Sequence, residues 1–137
     1  MSVAVELTGQ IRHIDNVDWQ FIEGEEGRSD AIRWKTLTGA TDATTAGITS
    51  GVCEVPPGAK LPTHSHAEHE IYYITAGRGE VLLGDEIHRV EPGSVLFIPG
   101  ATVHGIRNCG SETLALTWIF AVDAWSQVEY HMVDSNF

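Results

Sequence analysis

From Ala31 onward, apolar and polar residues alternate in short runs that turn residues cut apart. AIRWKTLT puts Ile32, Trp34, Thr36 and Thr38 on one side, the period of two that a half-buried strand requires. Thr41–Ala46 reads as a polar turn, and Ile48–Val55 as a strand stopped by Pro56–Pro57–Gly58. Further strands are expected in a hairpin within Gly58–Gly77, in VLLG, in Ile87–Val90, in VLFIP, in the segment of His104, and in TLALTWIFAV. Gly84–Asp85 is a hairpin signal, Glu91–Pro92–Gly93 and Ser111–Glu112 are turns, and Gly77–Gly79 is a third. Asp123–Ser126 suggests one helical turn, and VEYHM a last strand. The first thirty residues are less regular. Val3–Leu7 and Gln10–Ile14 read as strands, Trp19, Phe21 and Ile22 alternate loosely, and Glu23–Asp30 is a glycine-broken polar loop. Strands this short and evenly spaced predict an all-β fold, a single antiparallel β-barrel or jelly roll over residues 31–137 with an N-terminal arm over 1–30.

One stretch, Gly58–Gly77, concentrates the chemistry. His64 and His66 are two apart and share a strand face, and Glu70 and Tyr72 keep that parity. A tight turn near Ala67–His69 is expected to fold the stretch into a hairpin that returns Glu70 to the histidines. Two imidazoles and a carboxylate aimed at one point make a metal site, and His104 supplies a fourth donor from Gly93–Asn108. His69 has the opposite parity and is expected to face solvent, while His13, His88 and His131 have no motif context and read as ordinary surface or packed histidines. Tyr72 should lie near the metal. Tyr130 is the second phenol of interest, and either can act as a proton acceptor beside a dication. Trp34, Trp118 and Phe120 are placed in the barrel interior, as packing or as an aromatic pocket. Arg33, Lys35 and Arg107 are the basic residues expected nearest the mouth, although Arg107, out of phase with His104, points outward.

The chain has 137 residues, enough for one domain with a real core. Its 8 basic against 19 acidic residues leave a net charge of −11, which argues against nucleic acid and anionic membranes as partners. No apolar run approaches the ~20 residues a membrane span needs. No segment combines a basic start with an apolar run, so a cytoplasmic protein is expected. Cys53 and Cys109 lie outside any Cys-x-x-Cys pair and read as reduced thiols.

Two spaced motifs resemble those of the cupin family. The first is Gly58, five residues, His64-x-His66, three residues, Glu70, six residues, Gly77. The second is Gly93, five residues, Pro99, then His104, three residues, Asn108. It departs at one position: Ala101 stands where the family usually carries glycine, with Gly100 one place early. The resemblance implies a double-stranded β-helix and one divalent transition metal (iron, manganese, nickel or zinc) on His64, His66, Glu70 and His104. Asn108 would then support the strand end. It also implies a homodimer, in which the N-terminal strands contact the partner.

Three classes of function follow. A three-histidine, one-carboxylate metal leaves room for a small carboxylate- or carbonyl-bearing substrate, so a metal-dependent enzyme is favoured, a dioxygenase, isomerase, decarboxylase or lyase. One branch is similar in more detail: the small cupin lyases of dimethylsulfoniopropionate share the His-x-His-x3-Glu-x-Tyr run and a late tyrosine. Tyr72 and Tyr130 occupy similar places, which implies a tyrosinate base. A non-catalytic binding module and a metal-free structural barrel are the alternatives.

Overall fold

The computed structural model describes residues 7–137. Among these, eleven strands run in order: β1 Gln20–Phe21, β2 Arg33–Thr38, β3 Thr49–Val55, β4 Lys60–Ser65, β5 Glu70–Ala76, β6 Gly79–Leu83, β7 Glu86–Val90, β8 Val95–Ile98, β9 His104–Arg107, β10 Leu114–Phe120 and β11 His131–Met132. They form two antiparallel sheets, one in the order β1-β2-β3-β10-β5-β8 and the other β11-β4-β9-β6-β7. The fold is the expected all-β barrel. The arm departs in detail. Gln10–Ile14 forms no strand, and Ile14–Asn16 is instead a 3-10 turn. The strand expected at Val3–Leu7 falls almost wholly outside the described residues. The last strand is shorter than VEYHM, because only His131 and Met132 pair, with Ser65 and His64.

Strand alternation sets the core. On β3 and β10 every second residue is buried, and their register places Val55 opposite Leu114 at one end and Thr49 opposite Phe120 at the other. Val55, Ile74, Val81, Ile98, Ile106 and Leu114 are fully buried. Along β10 the interior side chains then become aromatic, Trp118 and Phe120. Phe120 lies opposite Glu70 on β5, so the aliphatic end of the barrel grades into an aromatic end that holds the candidate site residues.

The histidine stretch is not a hairpin. β4 and β5 belong to different sheets, and residues 66–69 carry the chain across the barrel corner between them. The Gly77–Gly79 turn crosses back in the same way, whereas Gly84–Asp85 closes a true two-residue hairpin between β6 and β7. The crossing corner is fastened to the second motif. The Ala101 N–H donates to the His66 carbonyl at 2.7 Å, and the Gly100 N–H donates to His69 Nδ1 at 2.8 Å. His69 is exposed as expected, yet it holds this turn.

The Gly100–Ala101 order has a structural cost. Ala101 adopts φ 67°, the left-handed region that favours glycine. Gly100 cannot exchange with it, because a Cβ there would lie 2.2 Å from the Ala67 carbonyl oxygen. Ala101→Gly is therefore expected to raise stability by about 1 kcal/mol, and Gly100→Ala to lower it by about 2 kcal/mol. Thermal or urea unfolding of the two variants checks the opposite signs; equal signs would contradict the turn geometry.

Candidate metal centre and cavity

His64 from β4, His66 from the corner and His104 from β9 meet in the barrel, each buried. Cross-strand pairing of His64 with His104 brings their ring centroids to 4.2 Å. The three rings share one tautomer. Each Nδ1 faces a backbone carbonyl, which can only accept: Pro62 at 2.7 Å for His64, Glu68 at 3.0 Å for His66 and Thr102 at 2.8 Å for His104. Nδ1 therefore carries the proton and Nε2 the free lone pair. One potential ligand atom from each ring lies within 4.8 Å of the others.

Glu70 completes the convergence. Its Oε1 lies 3.1 Å from His66 Nε2 and 3.3 Å from His104 Nε2. In the neutral rings these are acceptors facing an acceptor. His104 Nε2 has no hydrogen-bond partner at all and no access to water. Only an electrophile, a proton or a metal cation, reconciles such a group of lone pairs. The donor set, three imidazoles and a carboxylate, suits a divalent transition metal. His64, His66, Glu70 and His104 are thus brought together as the sequence implied. Asn108 is the expected support: its amide donates to the carbonyls of Val55 (2.8 Å) and Glu112 (2.7 Å), and its oxygen accepts from Gly110 (2.9 Å).

A cavity of about 290 Å³ opens beside His64 and Glu70. Its walls include Trp34, Cys53, Tyr72, Trp118, Phe120, Trp125 and Tyr130. Tyr72 is 4% exposed on β5. Tyr130 is 41% exposed overall, but its ring lies against His64, 5.3 Å between centroids. Its oxygen accepts a hydrogen bond from Trp125 Nε1 at 3.1 Å. That bond leaves the phenol's own proton free. Trp125, which nothing in local spacing marks out, reaches the cavity from the 3-10 turn Trp125–Gln127 and tilts against Trp34 at 5.8 Å. Cys53 could have been found from β3 alternation, since it shares parity with the buried Val55.

The expected basic residues do not reach the mouth. Arg33 pairs with Glu54 at 2.6 Å and lies over Trp19; Lys35 is buried on the outer side, donating to the Ile14 carbonyl at 2.8 Å. The arm covers β2 and draws both cations to itself. Arg107 stacks on Phe137 at 4.3 Å, pointing outward as its parity requires. Among the described residues no basic side chain lines the cavity. Cys109 is exposed and hydrogen-bonded to Glu80, while Cys53 is buried, and both are free thiols.

Burial governs the acid–base state of the metal-free site. It lowers His64 to about 4, aided by His104. For His66 burial is outweighed by the Glu70 hydrogen bond and charge, and the net shift is upward. Tyr72 is pushed well above the usual phenol value, by burial first and Glu70 next. Tyr130 also moves up through burial, against the Trp125 hydrogen bond. Cys53 rises to about 12 through burial, then through Glu70 and Glu54.

Such a barrel, with candidate metal-ligating side chains converging from both sheets and the corner between them, defines an antiparallel β-barrel with a candidate metal centre. The chain belongs to the cupin family: the Cupin domain model matches residues 51–120, from within β3 to the end of β10. It is 33% identical over 104 residues to dimethylsulfoniopropionate lyase DddW of Ruegeria pomeroyi, covering 76% of this chain and 68% of that protein. It is also 26% identical over 68 residues to a 5-nitrosalicylic acid 1,2-dioxygenase of Bradyrhizobium sp., covering 50% of this chain and only 33% of that enzyme. Among solved structures, the polyketide cyclase RemF of Streptomyces resistomycificus superposes with a TM-score of 0.75 over 94% of this chain and 88% of that one, at 20% identity. That likeness speaks to the fold. No helix among the described residues is long and apolar enough to cross a membrane.

The His64 shift predicts a pH dependence. An unfolded histidine takes up a proton near 6.5, whereas folded His64 resists down to about 4. Its stabilising effect is complete above 6.5 and is lost as pH falls from 6.5 to 4, by about 3 kcal/mol. His66 has the opposite sign: its effect is complete below 6.5 and fades as pH rises above that. Urea titrations of metal-free protein should show a decline between pH 6.5 and 4 that flattens in His64→Gln. An equal slope in both proteins would contradict the burial argument.

Proposed function

We propose that this protein is a metal-dependent lyase that cleaves dimethylsulfoniopropionate or a close β-sulfonium carboxylate. The observation that carries the reading is the cavity wall: two phenols, Tyr72 and Tyr130, face a space that holds aromatic rings and the candidate metal ligands but no basic side chain. A substrate carboxylate then has no protein cation to bind, and a cationic sulfonium meets none that repels it. The similarity to DddW supports the same chemistry.

His64, His66, Glu70 and His104 would hold one divalent metal. When bound, it supplies a Lewis acid for the substrate carboxylate and a positive charge that opposes the effect of Glu70 on the phenols. This donor set suits iron, manganese, nickel and zinc. The chain's own residues do the rest. Aromatic faces of Trp34, Trp118 and Trp125 accommodate the sulfonium methyl groups. A phenolate takes the proton α to the carboxylate. The electron pair forms the carbon–carbon double bond, and the β-carbon–sulfur bond breaks with its pair leaving on sulfur. The products are acrylate, dimethyl sulfide and a proton on tyrosine. Trp125 keeps the Tyr130 oxygen oriented.

A second reading, ring-opening oxygenation of an aromatic acid, is favoured by the dioxygenase relative and by the aromatic cavity. It predicts oxygen uptake with hydroxybenzoates and no dimethyl sulfide.

The test is headspace detection of dimethyl sulfide from metal-loaded protein. Lyase activity is expected in the wild type. The phenol that acts as base should lose about 10²- to 10⁴-fold in kcat when Tyr72→Phe or Tyr130→Phe removes it, with metal content unchanged. Wild-type protein that releases no dimethyl sulfide with any of the four metals would reject the lyase. If Tyr130 is the base, Trp125→Phe should lower kcat by about 10-fold with KM nearly unchanged; full activity in that variant would remove the orienting role.

A further inference from the structure

The cavity runs farther than the reacting groups need. Strand register lays out its wall in rows. Phe120 pairs with Glu70 in the first row, and its ring centroid lies 4.9 Å from that of His66. Trp118 pairs with Tyr72 in the second row, and Leu116 with Cys53 in the third. All six of these residues line the cavity. The pair that follows, Leu114 and Val55, is fully buried and lies beyond its wall. Leu116 stands four positions before Phe120 on β10, so the slot is about 13 Å long at the rise of a strand.

Gly51 keeps the slot open at its middle. It lies opposite Trp118 on β3, and a Cβ there would come within 2.2 Å of Trp118 Cζ2. The indole therefore rests over the bare glycine, and the cavity continues past it to Leu116. The two ends differ in chemistry. The candidate ligands Glu70 and His64 stand at one end, whereas the other is walled by Cys53, Leu116 and Ile32, with no charge and no hydroxyl. Burial keeps the Cys53 thiol protonated. Water gains no strong hydrogen bond there, so an apolar group displaces it favourably.

Dimethylsulfoniopropionate does not fill this space. From carboxylate oxygen to sulfonium methyl it spans about 6 Å when extended, at ~1.5 Å per bond. Anchored at the Glu70 end, it reaches the Trp118 row and stops short of Leu116. The cavity volume, about 290 Å³, is nearly twice the ~150 Å³ that accommodates benzene in an apolar cavity. We infer that the site takes a carboxylate whose far end is an apolar group of about four carbons, butyl- or phenyl-sized, seated on Cys53, Leu116 and Ile32. The placement of the carboxylate rests on the lyase reading above. Within that reading the substrate is a β-sulfonium carboxylate with one such group on sulfur in place of a methyl. Leu116 then sets the length that the site accepts.

Calorimetric titration of zinc-loaded protein with pentanoate and octanoate tests it without turnover, since neither acid carries a leaving group. Pentanoate has the length of dimethylsulfoniopropionate, and octanoate reaches the third row. At about fourfold per buried methylene, octanoate should bind the wild type about 50-fold more tightly than pentanoate. Leu116→Phe, which fills the third row, should bring the two acids to similar affinity. Cys53→Leu blocks the same row from β3 and should do likewise, so the test survives if one variant fails to fold. Equal binding of the two acids by the wild type, or a 50-fold preference that persists in a folded Leu116→Phe or Cys53→Leu protein, would overturn the slot alone. Binding of neither acid would overturn it together with the placement of a carboxylate at the metal.

Discussion

The site depends on four acceptors being held together in the barrel interior. Backbone carbonyls take the Nδ1 protons of His64, His66 and His104, and so fix the Nε2 lone pairs inward. Glu70 then adds a carboxylate oxygen within 3.3 Å of two of them. A group of acceptors this dense is unfavourable in a buried site unless a cation sits among them. The barrel tolerates it because the ligands stand on both sheets and at the corner between them. None of the three imidazoles can turn away without breaking its backbone hydrogen bond.

That corner explains why the two motifs act as one. Residues 66–69 cross from one sheet to the other, and the Pro99–Ala101 turn is fastened to them through the His66 carbonyl and the His69 ring. Gly100 is needed for close approach to Ala67, so the left-handed position falls to Ala101, which bears its strain. Asn108 ties the far end of β9 to the ends of its neighbouring segments. The ligand geometry is therefore a product of loop chemistry as much as of strand register.

The candidate ligands are legible in the sequence because they lie on local parity and fixed spacing, which survive without a fold. The barrel was legible from short alternating runs between turns. Sheet membership was not: parity alone cannot tell a hairpin from a crossing at a barrel corner, and His64 and Glu70 keep the same parity in both. Trp125 escaped notice for another reason. It enters the cavity from an irregular segment, placed by a backbone bond to Gly39 and by Asp123 accepting from the Gly47 N–H, contacts far apart in sequence. The basic residues were misplaced because the arm, the least periodic part of the chain, determines what covers β2.

Elemental analysis of freshly purified wild type and His104→Ala tests the central claim most directly. His104 contributes the lone pair that has no other partner. The account predicts about one transition-metal ion per chain in the wild type, and its loss from a variant that still folds. Wild-type protein that purifies without metal and takes up none of iron, manganese, nickel or zinc on reconstitution would contradict it.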